Sequence, residues 1–169
     1  MELSKILVVD DEKINQNFIK GLLEGGYDIR ACDSAEECLE LIGDWTPDLF
    51  LLDVNMPGMG GIELCKQLKA SADLEIIPVI FVSAMNGVDD RLEGYEAGCD
   101  EYMGRPFSRW ELLKKIELTL ANKKALDSYR QRSDAASGAA MTAMTTAGEI
   151  GQVVRFFRES FATTSFNEL

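Results

Sequence analysis

The sequence contains no histidine among its 169 residues. This absence excludes histidine-based general acid–base catalysis and any serine–histidine catalytic triad. The four cysteines lack the C-x-x-C spacing typical of zinc sites, at Cys32, Cys38, Cys65 and Cys99. Together with the absence of histidine, this scatter argues against a structural zinc ion. We expect four reduced, mostly buried thiols in a cytoplasmic protein.

Long apolar runs and an excess of positive charge are also missing. No apolar run reaches the length of a membrane-spanning helix, and the N-terminus does not have the pattern of a signal peptide, so we expect no membrane segment. Lys and Arg together number 17 and Asp and Glu 29, which gives a net charge of −12. That balance offers no electrostatic support for binding nucleic acid.

The negative charge is unevenly distributed along the chain. Residues 1–124 contain 24 acidic and 13 basic residues, a net charge of −11. Residues 125–169 contain five and four, a net charge of −1. We therefore predict a folded domain at residues 1–124 and a C-terminal segment of a different kind at residues 125–169.

Strand and helix patterns alternate from Lys5 to about Lys124. Five short runs are predicted as strands, most of them apolar enough for a buried parallel sheet, at residues 5–9, 27–32, 48–52, 79–82 and 100–103. Strands that alternate with helices predict a parallel sheet wound by right-handed crossovers. The sequence therefore predicts an α/β fold with five strands and five helices.

The helices of this predicted fold have recognisable limits. The first has apolar residues at helical spacing, at Ile14, Phe18, Ile19, Leu22 and Leu23. Ser34, with Glu37 three residues later, predicts the capped start of the second helix. The fourth helix is predicted at residues 87–97, and Ser108 is predicted to cap the fifth, which runs to about residue 121.

Three acidic residues directly follow two of the predicted strands. Asp10 and Asp11 follow the first strand, and Asp53 follows the third. Because chemistry in open α/β sheets collects at the carboxyl ends of the strands, we expect these carboxylates to converge in one shallow crevice. Carboxylates that close repel one another unless a cation lies among them, and their hard oxygens suit Mg²⁺. Asp53 is then a candidate nucleophile toward phosphorus, like the carboxylates that form aspartyl phosphates.

The last 45 residues break the alternation. Residues 122–133 are polar and charged, and they are either a linker or a continuation of the fifth helix. Residues 134–148 are rich in small residues and methionine, without a strand pattern. One apolar helical face follows, formed by Ile150, Val153, Val154, Phe157 and Phe161. Such a helix must pack on the first domain, on a second copy of the chain or on a partner.

Several motifs together resemble one family, the receiver domains of bacterial two-component response regulators. The resemblance covers about residues 4–121. It depends on the order and spacing of four pieces: Val8-Val9-Asp10-Asp11, the Leu51–Met59 run, Val82-Ser83-Ala84, and Tyr102 followed by Arg105-Pro106-Phe107. The flavodoxin-like, doubly wound fold of that family agrees with the predicted five strands.

The resemblance implies a role for each matched residue near the carboxylates. Asp53 resembles the family's phosphoacceptor, which receives a phosphoryl group from a sensor histidine kinase or a phosphotransfer protein. Asp11 resembles the direct Mg²⁺ ligand, and Asp10 its hydrogen-bonded or water-linked companion. Asn55 is expected to offer its backbone carbonyl to the metal. Mg²⁺ would neutralise the carboxylates and the phosphoryl oxygens, so that transfer needs mainly positioning and charge.

The remaining matches imply a conformational switch. Ser83 resembles the hydroxyl that moves toward the phosphoryl group, although a Ser at a strand end also reads as a helix N-cap. Tyr102 resembles the aromatic residue that then turns inward. Arg105 departs from the family, which usually has lysine there. The guanidinium keeps the positive charge and can bind phosphoryl oxygens, but it lacks the compact shape of an ammonium group.

Three functions remain open at this point. The first is a phosphorylatable receiver that controls an output or a partner and is not itself an enzyme beyond slow self-phosphorylation and self-dephosphorylation. The second is a phosphorylation-independent interaction or dimerisation module, which Arg105 would explain. The third is a metal-dependent phosphohydrolase, against which stands the absence of a general acid and of a cap insertion. The C-terminal helix either pairs with a second copy, making a homodimer, or folds back on the receiver.

Overall fold

The predicted α/β fold is confirmed. The computed structural model describes residues 2–147, and side chains for residues 2–139. Within that range the chain forms five strands and five helices in strict alternation. The strands are β1 (Lys5–Val9), β2 (Asp28–Cys32), β3 (Leu49–Leu52), β4 (Val79–Ser83) and β5 (Glu101–Gly104). The helices are α1 (Lys13–Leu23), α2 (Ala35–Asp44), α3 (Gly61–Ala70), α4 (Val88–Glu96) and α5 (Arg109–Ala147).

All five strands pair in parallel in the order β2-β1-β3-β4-β5. The order reverses between β1 and β3, so the carboxyl ends of these two strands border a crevice. Alternate strand residues face opposite sides of the sheet, and consecutive residues of β1, β3 and β4 are buried, so the sheet is covered on both faces. One layer of the core contains Leu7, Phe50, Phe81 and the helices α2 and α3, and the other contains Val8, Leu51, Ile80 and the helices α1 and α5.

The first of these layers also contains every cysteine of the chain. Cys32, Cys38, Cys65 and Cys99 are all buried in it. The Cys32 thiol is close enough to raise the pKa of Cys38, and burial raises the pKa of Cys65 to about 11 and that of Cys99 to about 12. The opposite layer has no cysteine among its described residues.

Most predicted helix starts agree with the structure, with one change of detail. The Ser34 hydroxyl accepts a hydrogen bond from the Glu37 N–H at 3.1 Å, and the Ser108 hydroxyl does the same for Glu111. The Glu37 carboxylate, however, accepts from the Asp33 N–H rather than from that of the capping residue. The capping box is therefore shifted by one residue.

One sequence expectation about the helices was wrong, and the apolar residues of α1 are not all buried. Helix α5 does not end near residue 121 but continues to Ala147, so residues 122–133 are a continuation and not a linker. On α1, Ile19 and Leu23 are buried, but Ile14 and Phe18 are 81% and 53% exposed. The predicted apolar helix at residues 149–161 lies outside the described residues.

The chain divides into two compact units, Met1–Lys124 and Ala125–Leu169. The sheet lies in the first unit. In the described part of the second, Leu126 and Tyr129 are exposed. No helix among the described residues has the length and apolar character needed to cross a membrane.

Candidate functional site

The acidic residues meet at the carboxyl ends of β1 and β3. The Asp53 N–H donates to the Val9 carbonyl at 2.9 Å, which fixes the end of β3 beside the end of β1. Carboxylate oxygens of Asp10, Asp11 and Asp53 then lie within 4.8 Å of one another. Asp10 and Asp53 are buried and Asp11 is exposed, so the cluster opens to solvent on one side. Three hard oxygen donors in this arrangement fit a small divalent cation such as Mg²⁺.

The Asp53 carboxylate is the most electrostatically unusual group of the cluster. Burial, followed by the nearby charge of Asp10, raises the pKa of Asp53 from 3.8 to about 6. The Arg105 guanidinium acts in the opposite direction but does not cancel these effects. An additional cation in the crevice would favour the ionised, nucleophilic form of Asp53.

Asp10 is held by bonds to both of its carboxylate oxygens. Oδ1 accepts from the Glu12 N–H at 2.9 Å and from Asn15 Nδ2 at 3.3 Å. Oδ2 accepts from Arg105 Nη2 at 2.6 Å, in an ion pair whose side chains are 2% and 22% exposed respectively. Arg105 thus reaches the acidic cluster directly.

Gln16 is a structural support of this site that our sequence reasoning missed. It is buried, and its Nε2 donates to the Asp10 carbonyl at 2.7 Å and to the Cys32 carbonyl at 3.1 Å. The bonds tie α1 to the ends of β1 and β2. The sequence could have indicated this burial through helical spacing. Gln16 lies three residues before Ile19 and seven before Leu23, so it falls on the same, core-facing side of the helix.

Ser83 and Tyr102 converge on the backbone of Met85. The buried Ser83 hydroxyl accepts from the Met85 N–H at 3.1 Å, and the Tyr102 hydroxyl donates to the Met85 carbonyl at 2.5 Å. Ser83 does not cap α4, because Gly87 is the residue before that helix. Met85 also receives a bond through its side chain, from Asn55 Nδ2 to Sδ at 2.9 Å. Met85, which the sequence did not point to, therefore connects Asn55, Ser83 and Tyr102.

Two glycines provide the space that this arrangement needs. Tyr102 is 2% exposed and packs against Phe81 with ring centroids 5.8 Å apart. A Cβ at Gly94 would lie 2.8 Å from the Tyr102 ring, so glycine in α4 makes room for the tyrosine. Similarly, a Cβ at Gly104 would lie 2.1 Å from the Asn86 side chain. Asn86 fills the space that a side chain at residue 104 would occupy.

A groove lies beside Arg105 on the outer surface of the site. It has a volume of about 360 Å³ and is lined by Asn15, Phe18, Ile19, Arg105, Pro106 and Phe107. The Phe18 and Phe107 rings are 5.9 Å apart, and Phe18 is half exposed. Two further apolar side chains are exposed close in sequence to these rings. Ile14 on α1 is 81% exposed, and Trp110 on α5 is 82% exposed. Such surface is typical of a binding face.

The sequence is similar to known signalling proteins over most of its length. The pattern of the response regulator receiver domain family matches residues 6–117. The response regulator MprA of Mycobacterium ulcerans is 34% identical over 139 residues, which are 82% of this chain and 57% of that protein. The MprA of Mycobacterium avium is 34% identical over 73% of this chain and 54% of its own length. The chain thus spans little more than half the length of these relatives.

Solved structures give the same result for the fold. A CheY-like response regulator receiver domain protein from Methanospirillum hungatei is 28% identical, with a TM-score of 0.68 over 73% of this chain and 98% of that one. The receiver domain of a Francisella response regulator is 33% identical, with a TM-score of 0.64 over 70% and 98%. From the matched family pattern and the shared fold, this chain belongs to the response regulator receiver domain family.

Proposed function

We propose that the chain accepts a phosphoryl group on Asp53 from a histidine kinase or a phosphotransfer protein, with Mg²⁺ bound at Asp10, Asp11, Asp53 and the backbone carbonyl of Asn55. The observation that carries this proposal is the cluster of three carboxylates within 4.8 Å, in which Asp53 is buried at the end of a central strand. The bound metal ion would supply positive charge to the carboxylates and the phosphoryl oxygens.

The protein's own groups would position the reaction. An Asp53 oxygen forms a bond to phosphorus while the bond from phosphorus to the donor's histidine nitrogen breaks, so the phosphoryl group moves and the donor regains its imidazole. The Arg105 guanidinium, already within the crevice, has further N–H donors for the phosphoryl oxygens. The groove beside Phe18 and Phe107 is where we expect the donor to dock, since it borders Arg105.

The switch would act through Met85. We expect the Ser83 hydroxyl to leave the Met85 N–H and donate to a phosphoryl oxygen on Asp53. The Met85 segment is held at its carbonyl by Tyr102, so a change at Ser83 is communicated to β5 and to α4. This is a local change of hydrogen bonds that biases a neighbouring surface.

Intact mass spectrometry tests the proposal. The protein is incubated with Mg²⁺ and a small-molecule phosphodonor, in parallel with Asp53→Asn and with Asp89→Asn, an exposed carboxylate on α4 that serves as the matched control. We expect one phosphoryl adduct in the parent and in Asp89→Asn, and none in Asp53→Asn. An adduct that persists in Asp53→Asn would contradict the proposal.

A phosphorylation-independent interaction module is the second candidate. The Arg105–Asp10 ion pair favours it, because a guanidinium already neutralises part of the crevice. If this candidate is correct, incubation with the phosphodonor gives no phosphoryl adduct in the parent but gives one in Arg105→Lys. An adduct in both proteins would exclude this candidate.

For residues 125–169 we propose a role in dimerisation or in coupling the receiver to an output. Support comes from the continuation of α5 to Ala147 and from the apolar helical pattern beyond it. Sedimentation velocity over a range of concentrations, with and without phosphodonor, measures the oligomeric state. A monomer under all conditions would contradict dimerisation through this segment.

A further inference from the structure

Asp10 has its hydrogen-bonding capacity largely used by the protein itself. Its Oδ1 accepts two bonds, from Glu12 and from Asn15, and its Oδ2 accepts a short bond from Arg105. The carboxylate is 2% exposed, so water provides little competition for these partners. A cation that needs Asp10, directly or through a bound water, must therefore replace or share the bond from Arg105.

Arg105 is anchored through its backbone while its side chain has room to move. Its N–H donates to the Ser83 carbonyl at 2.8 Å, which fixes the start of the side chain beside the crevice. The guanidinium is 22% exposed, unlike the carboxylate it binds. The 360 Å³ groove next to it, lined by Asn15 and Phe18, offers an alternative place for the side chain. The groove is therefore large enough to receive the guanidinium if it leaves Asp10.

The charges of the crevice make the competition electrostatic as well as steric. Three carboxylates and one guanidinium give a formal charge of −2, and without the guanidinium the charge would be −3. Charges a few ångströms apart in a partly buried site interact far more strongly than in water. Arg105 therefore reduces the attraction of the crevice for a divalent cation and also occupies one of its oxygens.

We propose that Arg105 is an internal counter-cation that competes with the divalent metal ion for Asp10. This inference rests on the metal site of the proposed function and adds a regulating residue to it. Because binding linkage is reciprocal, Arg105 weakens metal binding by the same factor by which the metal weakens the Arg105–Asp10 bond. Metal binding would then release a guanidinium next to Asp53 and change the wall of the groove at the same time.

Calorimetric titration with MgCl₂, in the absence of any phosphodonor, tests the competition. Arg105→Gln removes the charge and the Asp10 bond, and Arg109→Gln is the matched control, since Arg109 is exposed and bonds the Leu22 carbonyl away from the crevice. We expect Arg105→Gln to bind Mg²⁺ about tenfold more tightly than the parent, the scale of one unit charge at close range in a partly buried site. Arg109→Gln should bind Mg²⁺ as the parent does. Equal or weaker binding by Arg105→Gln overturns the proposal.

A second measurement separates competition from a loss of folding. The thermal unfolding midpoint of each protein is recorded in chelator and in excess MgCl₂. The proposal requires a larger Mg²⁺-induced rise in Arg105→Gln than in the parent. An equal or smaller rise contradicts it, whatever the starting stability of the variant.

A third comparison identifies Asp10 as the contested group. In an Asp10→Asn background, adding Arg105→Gln should change the Mg²⁺ affinity by much less than the tenfold expected in the parent. An undiminished effect overturns the competition for Asp10. If neither the parent nor Arg105→Gln binds Mg²⁺, both this inference and the proposed metal site fail. If Asp53 is phosphorylated but Arg105→Gln leaves Mg²⁺ binding unchanged, only this inference fails.

Discussion

The crevice has two halves that are built in different ways. The acidic half comprises Asp10, Asp11 and Asp53 at the ends of β1 and β3. The other half, which we call the switch half after its proposed role, comprises Ser83 at the end of β4, Met85 in the loop that follows, and Tyr102 in β5. In the acidic half, position follows from the backbone, because each carboxylate comes directly after a buried strand. In the switch half, Ser83 and Tyr102 also belong to paired strands, but the placement of their side chains depends on bonds to the Met85 backbone and on a glycine in α4.

The difference has a physical consequence. A residue at the end of a paired strand is positioned by the hydrogen bonds of the sheet, as the bond from Asp53 N–H to Val9 shows. Tyr102 instead needs Gly94 on a helix and a carbonyl on a loop to stay buried. We therefore expect the geometry of the acidic half to withstand changes of side chain but not a displacement of its backbone. We expect the switch half to be sensitive to the addition or loss of a single methyl or hydroxyl group.

The largest effect is expected from Gly61→Ala, which tests the backbone dependence of the acidic half. A Cβ at Gly61 would lie 1.9 Å from the Asp53 carbonyl oxygen, so the backbone of Asp53 must move. We expect a loss of about 3 kcal/mol or more in the free energy of unfolding, measured by urea denaturation. The control is Gly21→Ala in α1, where a Cβ meets nothing within 4 Å and where alanine should stabilise the helix. Equal effects of the two would refute the argument.

The next effect is expected from Gly94→Ala in the switch half. The added methyl group would meet the Tyr102 ring at 2.8 Å and Phe81 at 3.2 Å. We expect a destabilisation of about 2 kcal/mol despite the higher helix propensity of alanine. In a Tyr102→Ala background the same substitution should become close to neutral or stabilising, because only the milder 3.2 Å contact with Phe81 then remains. A destabilisation that persists in that background would show that Tyr102 is not the obstacle.

A moderate, pH-dependent effect is expected from Asp53→Asn without metal. The folded-state pKa of about 6 exceeds the ordinary 3.8, so between these values the folded protein binds more protons than the unfolded chain, and stability falls as pH rises. The cost of ionised Asp53 is complete above about pH 6 and absent below about pH 4. Asp53→Asn should therefore stabilise the protein at neutral pH by about 1–2 kcal/mol, allowing for solvent screening, and the gain should vanish in acid.

Urea denaturation in chelator across this pH range provides the measurement. The exposed Asp89→Asn is the matched control, for which we expect no comparable pH-dependent difference from the parent. A constant gain for Asp53→Asn at all pH values would mean that the ionisation of Asp53 is not its cause.

The smallest effect is expected from Tyr102→Phe. This change keeps the ring but removes the hydroxyl bond to the Met85 carbonyl. A single neutral hydrogen bond contributes about 1 kcal/mol, which sets the expected loss in the free energy of unfolding. Tyr129→Phe, on a 72% exposed side chain, should leave stability unchanged. If both changes are silent, the Tyr102 hydroxyl does not hold the Met85 segment.

The acidic half was accessible from the sequence because its signals are local. A buried strand followed by aspartate predicts both the strand and the location of the carboxylate, and parallel alternation predicts which strand ends meet. The strand assignments at β1 and β3 differed from the structure by at most one residue. Such short-range patterns carry the information by themselves.

The contacts of Arg105, Tyr102 and α5 could not be read in the same way. Arg105 and Asp10 are 95 residues apart, and no periodic pattern pairs them. The burial of Tyr102 depends on a glycine in another element. The predicted end of α5 was wrong because its polar, alanine-containing continuation has no stop signal that separates helix from linker. Helical spacing also could not show which apolar residues of α1 are buried, because the exposed Ile14 and Phe18 recur with the same period as the buried Ile19 and Leu23.

The distribution of the cysteines gives the native chain a chemical reporter. All four thiols lie buried in the layer with α2 and α3, and burial suppresses their reaction with alkylating reagents. The raised pKa values of Cys38, Cys65 and Cys99 suppress it further at neutral pH. The rate of alkylation of each cysteine, resolved by peptide mass mapping, then measures how often that layer opens. The opposite layer, with α1 and α5, would remain silent in the same experiment. Alkylation rates recorded with and without bound Mg²⁺ would show whether events in the crevice loosen one side of the sheet.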